Sequence, residues 1–178
     1  MIPSDHFVRF YNEVFKFLDE RDGLQPYYEE ISRHQELHCL EQFRSKGLQG
    51  VYEYYQKIRV EENCVLDMKL EKDRMVSTME RCPSLSKVLD SDAEPCVKYC
   101  EHCAGWSMPL YTKCGIYYVQ NMMGPEIPRC VSVRTEDRNV ALRAEREFLE
   151  SGVPTELIFS NLDRWEEVEK NKERRRKE

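Results

Sequence analysis

Residues 64–81 read CVLDMKLEKDRMVSTMER, and the fold turns on this stretch. Cys64, Leu66, Met68 and Leu70 alternate with Val65, Asp67, Lys69 and Glu71, the period of two expected of a strand with one wetter face. Met75 to Arg81 is again strand-like, and Glu71-Lys72-Asp73-Arg74 supplies the turn between the two runs. A β-hairpin is therefore expected here. Cys82-Pro83-Ser84 closes it and opens a short helix to Leu89.

Before Asn63 the period is helical. Residues 3–22 start at Pro3-Ser4-Asp5, carry Phe7, Phe10, Tyr11, Val14 and Leu18 at helical spacing, and stop at Asp22-Gly23. Pro26 suits the first turn of a second helix running to about Lys46-Gly47. A third covers Leu48 to Arg59, with Leu48, Val51, Tyr52 and Tyr55 on its apolar face. Beyond the hairpin, the polar break Asp90 to Pro95 leads into a helix expected over Pro95 to Lys113, with Gly105 and Pro109 as weak points. Strands are expected at 115–120 and 130–134, flanking a loop at 124–128, and an amphipathic helix at 137–150 stops at Gly152 and Pro154. The tail after Trp165 is almost wholly charged and reads as a solvated, frayed helix. The expected class is α+β: a helical N-terminal half and a small antiparallel sheet of two hairpins with packing helices. The divisions are 1–60 helical, 61–160 cysteine-rich α+β and 161–178 a charged tail, with 1–160 as one compact domain the alternative.

Composition narrows the function classes. Among 178 residues, 40% are apolar and 11% aromatic, enough for a core and too much for a wholly disordered chain. The net charge of −6 speaks against a nucleic-acid binder, and the short run Arg174-Arg175-Arg176-Lys177 is too interleaved with Glu to change that. No stretch approaches the roughly 20 apolar residues of a membrane span. The N-terminal MIPSDHFVRFYNEVF has no apolar core of a secretory signal. A cytoplasmic protein with no membrane or nucleic-acid partner is expected, compatible with a small-molecule ligand and with homo-oligomers. In a reducing compartment, grouped cysteines are metal ligands or catalytic groups more often than disulfides.

Six of the eight cysteines, Cys82, Cys96, Cys100, Cys103, Cys114 and Cys130, fall between residues 82 and 130. Thiolates at short spacing hold zinc or iron–sulfur clusters. The C-x3-C-x2-C run of Cys96, Cys100 and Cys103 matches the cluster motif of radical S-adenosylmethionine enzymes, but only 75 residues follow it, too few for the β/α units such enzymes need. On a helix, Cys96 and Cys103 would sit about 10.5 Å apart along the axis, so one zinc would take neighbouring pairs plus Cys82 and Cys130 from the element junctions. Positions 96, 100, 103, 107, 110 and 114 also form one face of small residues, which suits buried thiols acting as packing groups. His102 can activate a thiol. Glu30, His34, His38 and Glu41 form a second candidate metal site, and a solvated helix face explains them equally well. No phosphate-cradling loop or nucleophile elbow is recognisable.

The hairpin ending in Cys82-Pro83, the segment Cys96-Val-Lys-Tyr-Cys100-Glu-His-Cys103 and the Gly124-to-Cys130 turn together resemble the L-2-amino-thiazoline-4-carboxylic acid hydrolase-like proteins and, more distantly, the 4-vinyl reductase domains. The resemblance spans residues 61–135 and implies a small-molecule domain. In that family an acid often follows the helix cysteine, whereas here Cys103 is followed by Ala-Gly-Trp. Three functions are thus expected. The first is metal binding, zinc or iron–sulfur, through Cys82, Cys96, Cys100, Cys103 and Cys130 beside a small-molecule pocket. The second is C–N hydrolysis by a cysteine nucleophile, Cys100 with His102 as base. The third is a small-ligand sensor or interaction module whose thiols are structural.

Overall fold

The computed structural model describes residues 3–33, 39–124 and 126–177. Helices α1 (Pro3–Asp19), α2 (Leu24–Arg33), α3 (Glu41–Lys46) and α4 (Leu48–Glu61) lead into β1 (Val65–Leu70) and β2 (Arg74–Arg81). Then come α5 (Pro83–Leu89), α6 (Glu101–Lys113), β3 (Tyr117–Met122), β4 (Cys130–Thr135), α7 (Arg138–Glu150), β5 (Ile158–Ser160) and α8 (Trp165–Arg175). The class is α+β, as the change of period at Asn63 implies.

The five strands form one antiparallel sheet in the order β1-β2-β4-β3-β5. The two hairpins are joined edge to edge by β2 and β4, and the short β5, which no periodicity announces, pairs with β3. Register fixes what faces what. Met68 lies opposite Ser77, Ser77 opposite Ser132, and Ser132 opposite Gln120. Two residues further along β4, Arg134 aligns with Met75 of β2 and Tyr118 of β3. Side chains alternate across a strand, so these residues share one face of the sheet. That face meets α4 and α6 in a core of Phe43, Val51, Met75, Tyr111, Ile116 and Tyr118. The opposite face of β3 and β4 is covered as well: Tyr117 and Val119 pack with Ala141 of α7 and Val168 of α8.

The expected second helix is described as α2 and α3, on either side of residues 34–38, and two further elements depart from the expected layout, each for a local reason. The helix expected from Pro95 begins only at Glu101. The buried Asn12 of α1 accepts the Cys96 N–H at 2.8 Å and donates to the Glu94 carbonyl at 3.0 Å, which holds this segment in a turn instead. Cys96 and Cys100 therefore precede α6 and do not share a helix face with Cys103. The tail, expected to fray, is docked. Val168 is fully buried, Asn171 Nδ2 donates to the Thr112 carbonyl at 3.0 Å, and Arg175 Nη1 donates to the Cys114 carbonyl at 3.1 Å. Gly115 makes this possible. Its φ is +68°, and a Cβ there would lie 2.4 Å from the Cα of Lys172, so only glycine lets α8 approach so closely.

Candidate functional site

The thiols do not assemble as a metal centre. Among the described residues no three His, Cys, Asp or Glu side chains converge to hold a metal ion, which corrects the zinc or iron–sulfur reading of Cys82, Cys96, Cys100, Cys103 and Cys130. Several of the thiols are neighbours, but their contacts are those of packing and capping groups. Cys96 is buried among Phe15, Tyr28, Leu85 and Tyr99. Cys82 caps α5, its Sγ accepting the Leu85 N–H at 3.5 Å. The Cys100 thiol is turned to the Gly124 carbonyl at 4.0 Å. Cys82, Cys100, Cys103 and Cys130 do border one void, but it measures only about 30 Å³. Burial pushes Cys82 and Cys100 up and raises Cys130 to about 12, so in the protein as it stands these thiols are neutral. All eight cysteines are free. In the second candidate site, His34 and His38 lie outside the described residues.

What does converge is a cavity of about 190 Å³ between the inner face of the sheet, α4 and α6. Leu66, Met79 and Trp106 give it apolar walls, while Ser77, Gln120 and Ser132 line its floor. These three come from the aligned central positions of β2, β3 and β4, where an ordinary core would carry apolar side chains.

Arg134 of β4 is the dominant charge. It is 3% exposed, a depth at which Arg is almost never found unless paired. Its Nε donates to Tyr111 Oη at 2.8 Å, and Nη1 donates to Ser77 Oγ at 2.9 Å and Ser132 Oγ at 3.0 Å. Its guanidinium carbon lies 4.6 Å from the centre of the Tyr55 ring, and 5.3 Å from those of Tyr111 and Tyr118. Burial works against the charge, but an arginine side chain keeps its proton in a protein, and the faces of the Tyr55, Tyr111 and Tyr118 rings and three hydroxyl acceptors surround it. No carboxylate pairs with it among the described residues, and none lines the cavity. Nη2 makes no hydrogen bond to any described residue, yet it is not sealed in the interior. This nitrogen therefore opens onto the cavity that the residue lines.

Two residues from the first turn of α6 complete the wall. His102 is buried in a box of aromatic rings, with centroids at 5.4 Å from Phe15, 5.2 Å from Tyr99 and 4.8 Å from Trp106. Burial holds it below the ordinary histidine range, so it is neutral at pH 7. Its Nδ1 meets the Tyr99 carbonyl, which only accepts, so Nδ1 carries the proton and Nε2 is left as an acceptor. The Cys103 Sγ lies 3.4 Å from that Nε2. Cys103 is an exposed residue on the cavity side, but the protein packed round its thiol pushes it up to about 11, against the pull of Arg134. The thiol that meets His102 is thus Cys103, and Cys100 is turned elsewhere.

A larger cleft of about 710 Å³ lies between Lys46–Gln49, Leu70–Asp73 and Glu136–Asn139, but its acidic and basic side chains neutralise one another, as in the Arg74–Glu71 and Lys172–Glu169 pairs nearby. No helix of the described residues is long and apolar enough to cross a membrane. The chain matches no protein-family model, no curated protein and no solved structure.

Proposed function

We propose that the protein binds a small organic monoanion, a carboxylic acid with an apolar body, in the cavity between the sheet and α6. The observation that carries this reading is Arg134: a buried, protonated guanidinium with no carboxylate partner among the described residues and with Nη2 open to the cavity. A buried charge is costly unless it is paired, so a site that retains one is completed by the charge that binds there. One cation, assisted only by neutral hydroxyls and the Gln120 amide, balances a monoanion better than a dianionic phosphate. The guanidinium fork matches a carboxylate oxygen, while Leu66, Met79 and Trp106 take the apolar body. A cavity of about 150 Å³ holds a benzene ring, so this one accommodates a ring or short chain bearing a carboxylate.

Calorimetric titration tests it with benzoate and its neutral isostere benzamide. Benzoate is expected to bind and benzamide to bind at least tenfold more weakly, with Arg134→Met removing that preference. Equal binding of the two ligands, or benzoate binding that survives Arg134→Met, would sink the proposal.

A further inference from the structure

From the placement of Cys103 beside His102 in a cavity that also holds Arg134, we infer that Cys103 is a nucleophile that adds to α,β-unsaturated carboxylates held by Arg134. This rests on the proposed anion site and names its ligand class. Cys103 alone among the eight cysteines is exposed, and it lines the same cavity as the guanidinium. A thiol within reach of a base that is itself oriented by a third group is the arrangement that activates a nucleophile. Here the base is His102 Nε2, and the orienting group is the Tyr99 carbonyl. Two further features favour the thiolate as it forms: the positive N-terminal turn of α6, in which Cys103 sits, and the Arg134 charge. The unpartnered Nη2 of Arg134, in a residue almost wholly buried, is the independent sign that this thiol faces a ligand site.

The proton economy selects the reaction class. His102 Nε2 takes the Sγ proton as sulfur attacks the β-carbon; the C–S bond forms and the alkene electron pair moves to the α-carbon. His102 holds that proton at Nε2, beside the sulfur and on the cavity wall, while its other nitrogen is committed to a backbone carbonyl. It returns that proton to the α-carbon. The product is a thioether, no leaving group or second reactant is needed, and His102 ends as it began. An addition closes this balance within the cavity.

Labelling with acrylate and acrylamide, followed by peptide mass analysis, tests the inference on the intact protein. Acrylate is the poorer acceptor for a thiol in water because of its charge. In this protein it is expected to modify Cys103 faster than acrylamide does, and faster than either reagent modifies Cys64 or Cys82. Benzoate should protect Cys103. Arg134→Gln should restore the solution order of the two reagents, and Cys103→Ser should abolish the adduct. His102→Gln keeps a side-chain amide to meet the Tyr99 carbonyl and should slow both reagents about 10²-fold, with loss of the rise in rate on the alkaline side of the His102 titration. If benzoate binds but Cys103 reacts no faster than Cys64 or Cys82, the nucleophile is overturned and the anion site stands. If acrylamide labels Cys103 selectively while acrylate gains nothing and benzoate gives no protection, both the inference and the anion site fall.

Discussion

The two faces of β3 and β4 are both buried, yet they are built differently. The outer face, under α7 and α8, is closed: Tyr117 and Val119 are fully buried with Ala141 and Val168, and its polar members Asn121 and Thr135 are tied to backbone groups, Asn121 accepting the Val131 N–H and Thr135 donating to the Asp73 carbonyl. The inner face, one residue along the same strands, carries Tyr118, Gln120, Ser132 and Arg134 around a cavity. The inner face gives up apolar burial, worth roughly 25 cal/mol per Å², in favour of donors and one cation. Residues that weaken a core in this way mark the surface where the protein meets something else, while the outer face supplies stability. If that division is correct, mutations on the two faces separate into losses of stability and losses of binding.

The largest effect is expected where the outer face is closed. Gly115→Ala places a Cβ against the backbone of Lys172 at a φ that L-residues rarely adopt. It should displace α8 and with it the burial of Val168 and the hydrogen bonds from Asn171 and Arg175. About 3 kcal/mol of stability should be lost, a drop of roughly 10 °C in Tm for a domain of this size. A thermal melt checks this, and benzoate should still bind to the folded fraction. A loss below about 1 kcal/mol would mean that α8 is not part of the outer core.

How much of this was legible in the sequence follows from the same contrast. Both hairpins and α4, α5 and α7 were readable, because period-two and helical spacing are local signals. The docked tail was not: α8 has one buried apolar residue, Val168, and is otherwise tied down by polar side chains reaching backbone carbonyls, which leave no periodicity. The start of α6 was hidden too, since Asn12, far away in sequence, decides it. Arg134 was the most instructive miss. In Cys130-Val-Ser-Val-Arg134 the valines look like the core face and the polar residues like the solvent face. With helices on both sides, that polar face lines a cavity. The available signal was shared by three strands: Ser77, Gln120 and Ser132 fall at aligned positions, but alignment is visible only once the sheet order is known. The cysteines misled in the opposite way: their clustering in sequence suggested ligation, and the fold does bring Cys82, Cys100, Cys103 and Cys130 to one void, yet among the described residues no three ligands are placed to hold an ion.

A second prediction asks whether the cation on the inner face serves binding or folding. Arg134→Met removes a buried charge and fills similar volume, at the cost of leaving Ser77, Ser132 and Tyr111 to bond among themselves. Arg134 has no carboxylate partner among the described residues, so its removal orphans no charge, and the desolvation cost it carries offsets the three hydrogen bonds lost. Stability in denaturant should therefore stay within about 1 kcal/mol of the parent protein or rise, while benzoate binding is lost. A loss above about 3 kcal/mol would show that Arg134 is needed for folding as the residues of the outer face are, and the division between the faces would not hold.

The smallest effect sharpens the role of His102. Burial lowers its pKa below the ordinary value near 6.5, so the unfolded chain takes up a proton that the folded protein resists. The linkage has a definite sign: between the folded and unfolded values the unfolded state binds more protons, and stability rises with pH. The contribution of neutral His102 is therefore fully present above about pH 6.5 and is lost as pH falls through that value towards the lower, folded one. Carboxylates titrate in the same direction, and Glu101, pushed up by burial, in the opposite one. Only the difference between the parent protein and His102→Gln isolates the histidine. Between pH 7.5 and 5.5 the parent should lose more stability than the variant, by no more than about 1.4 kcal/mol for every pH unit separating the folded and unfolded pKa values. Parallel curves for the two proteins would mean that His102 is readily protonated in the folded state. It would then be a cation at the lower pH, unable to accept the Cys103 proton there, and the inner face would carry two positive charges instead of the single one on which its preference for a monoanion depends.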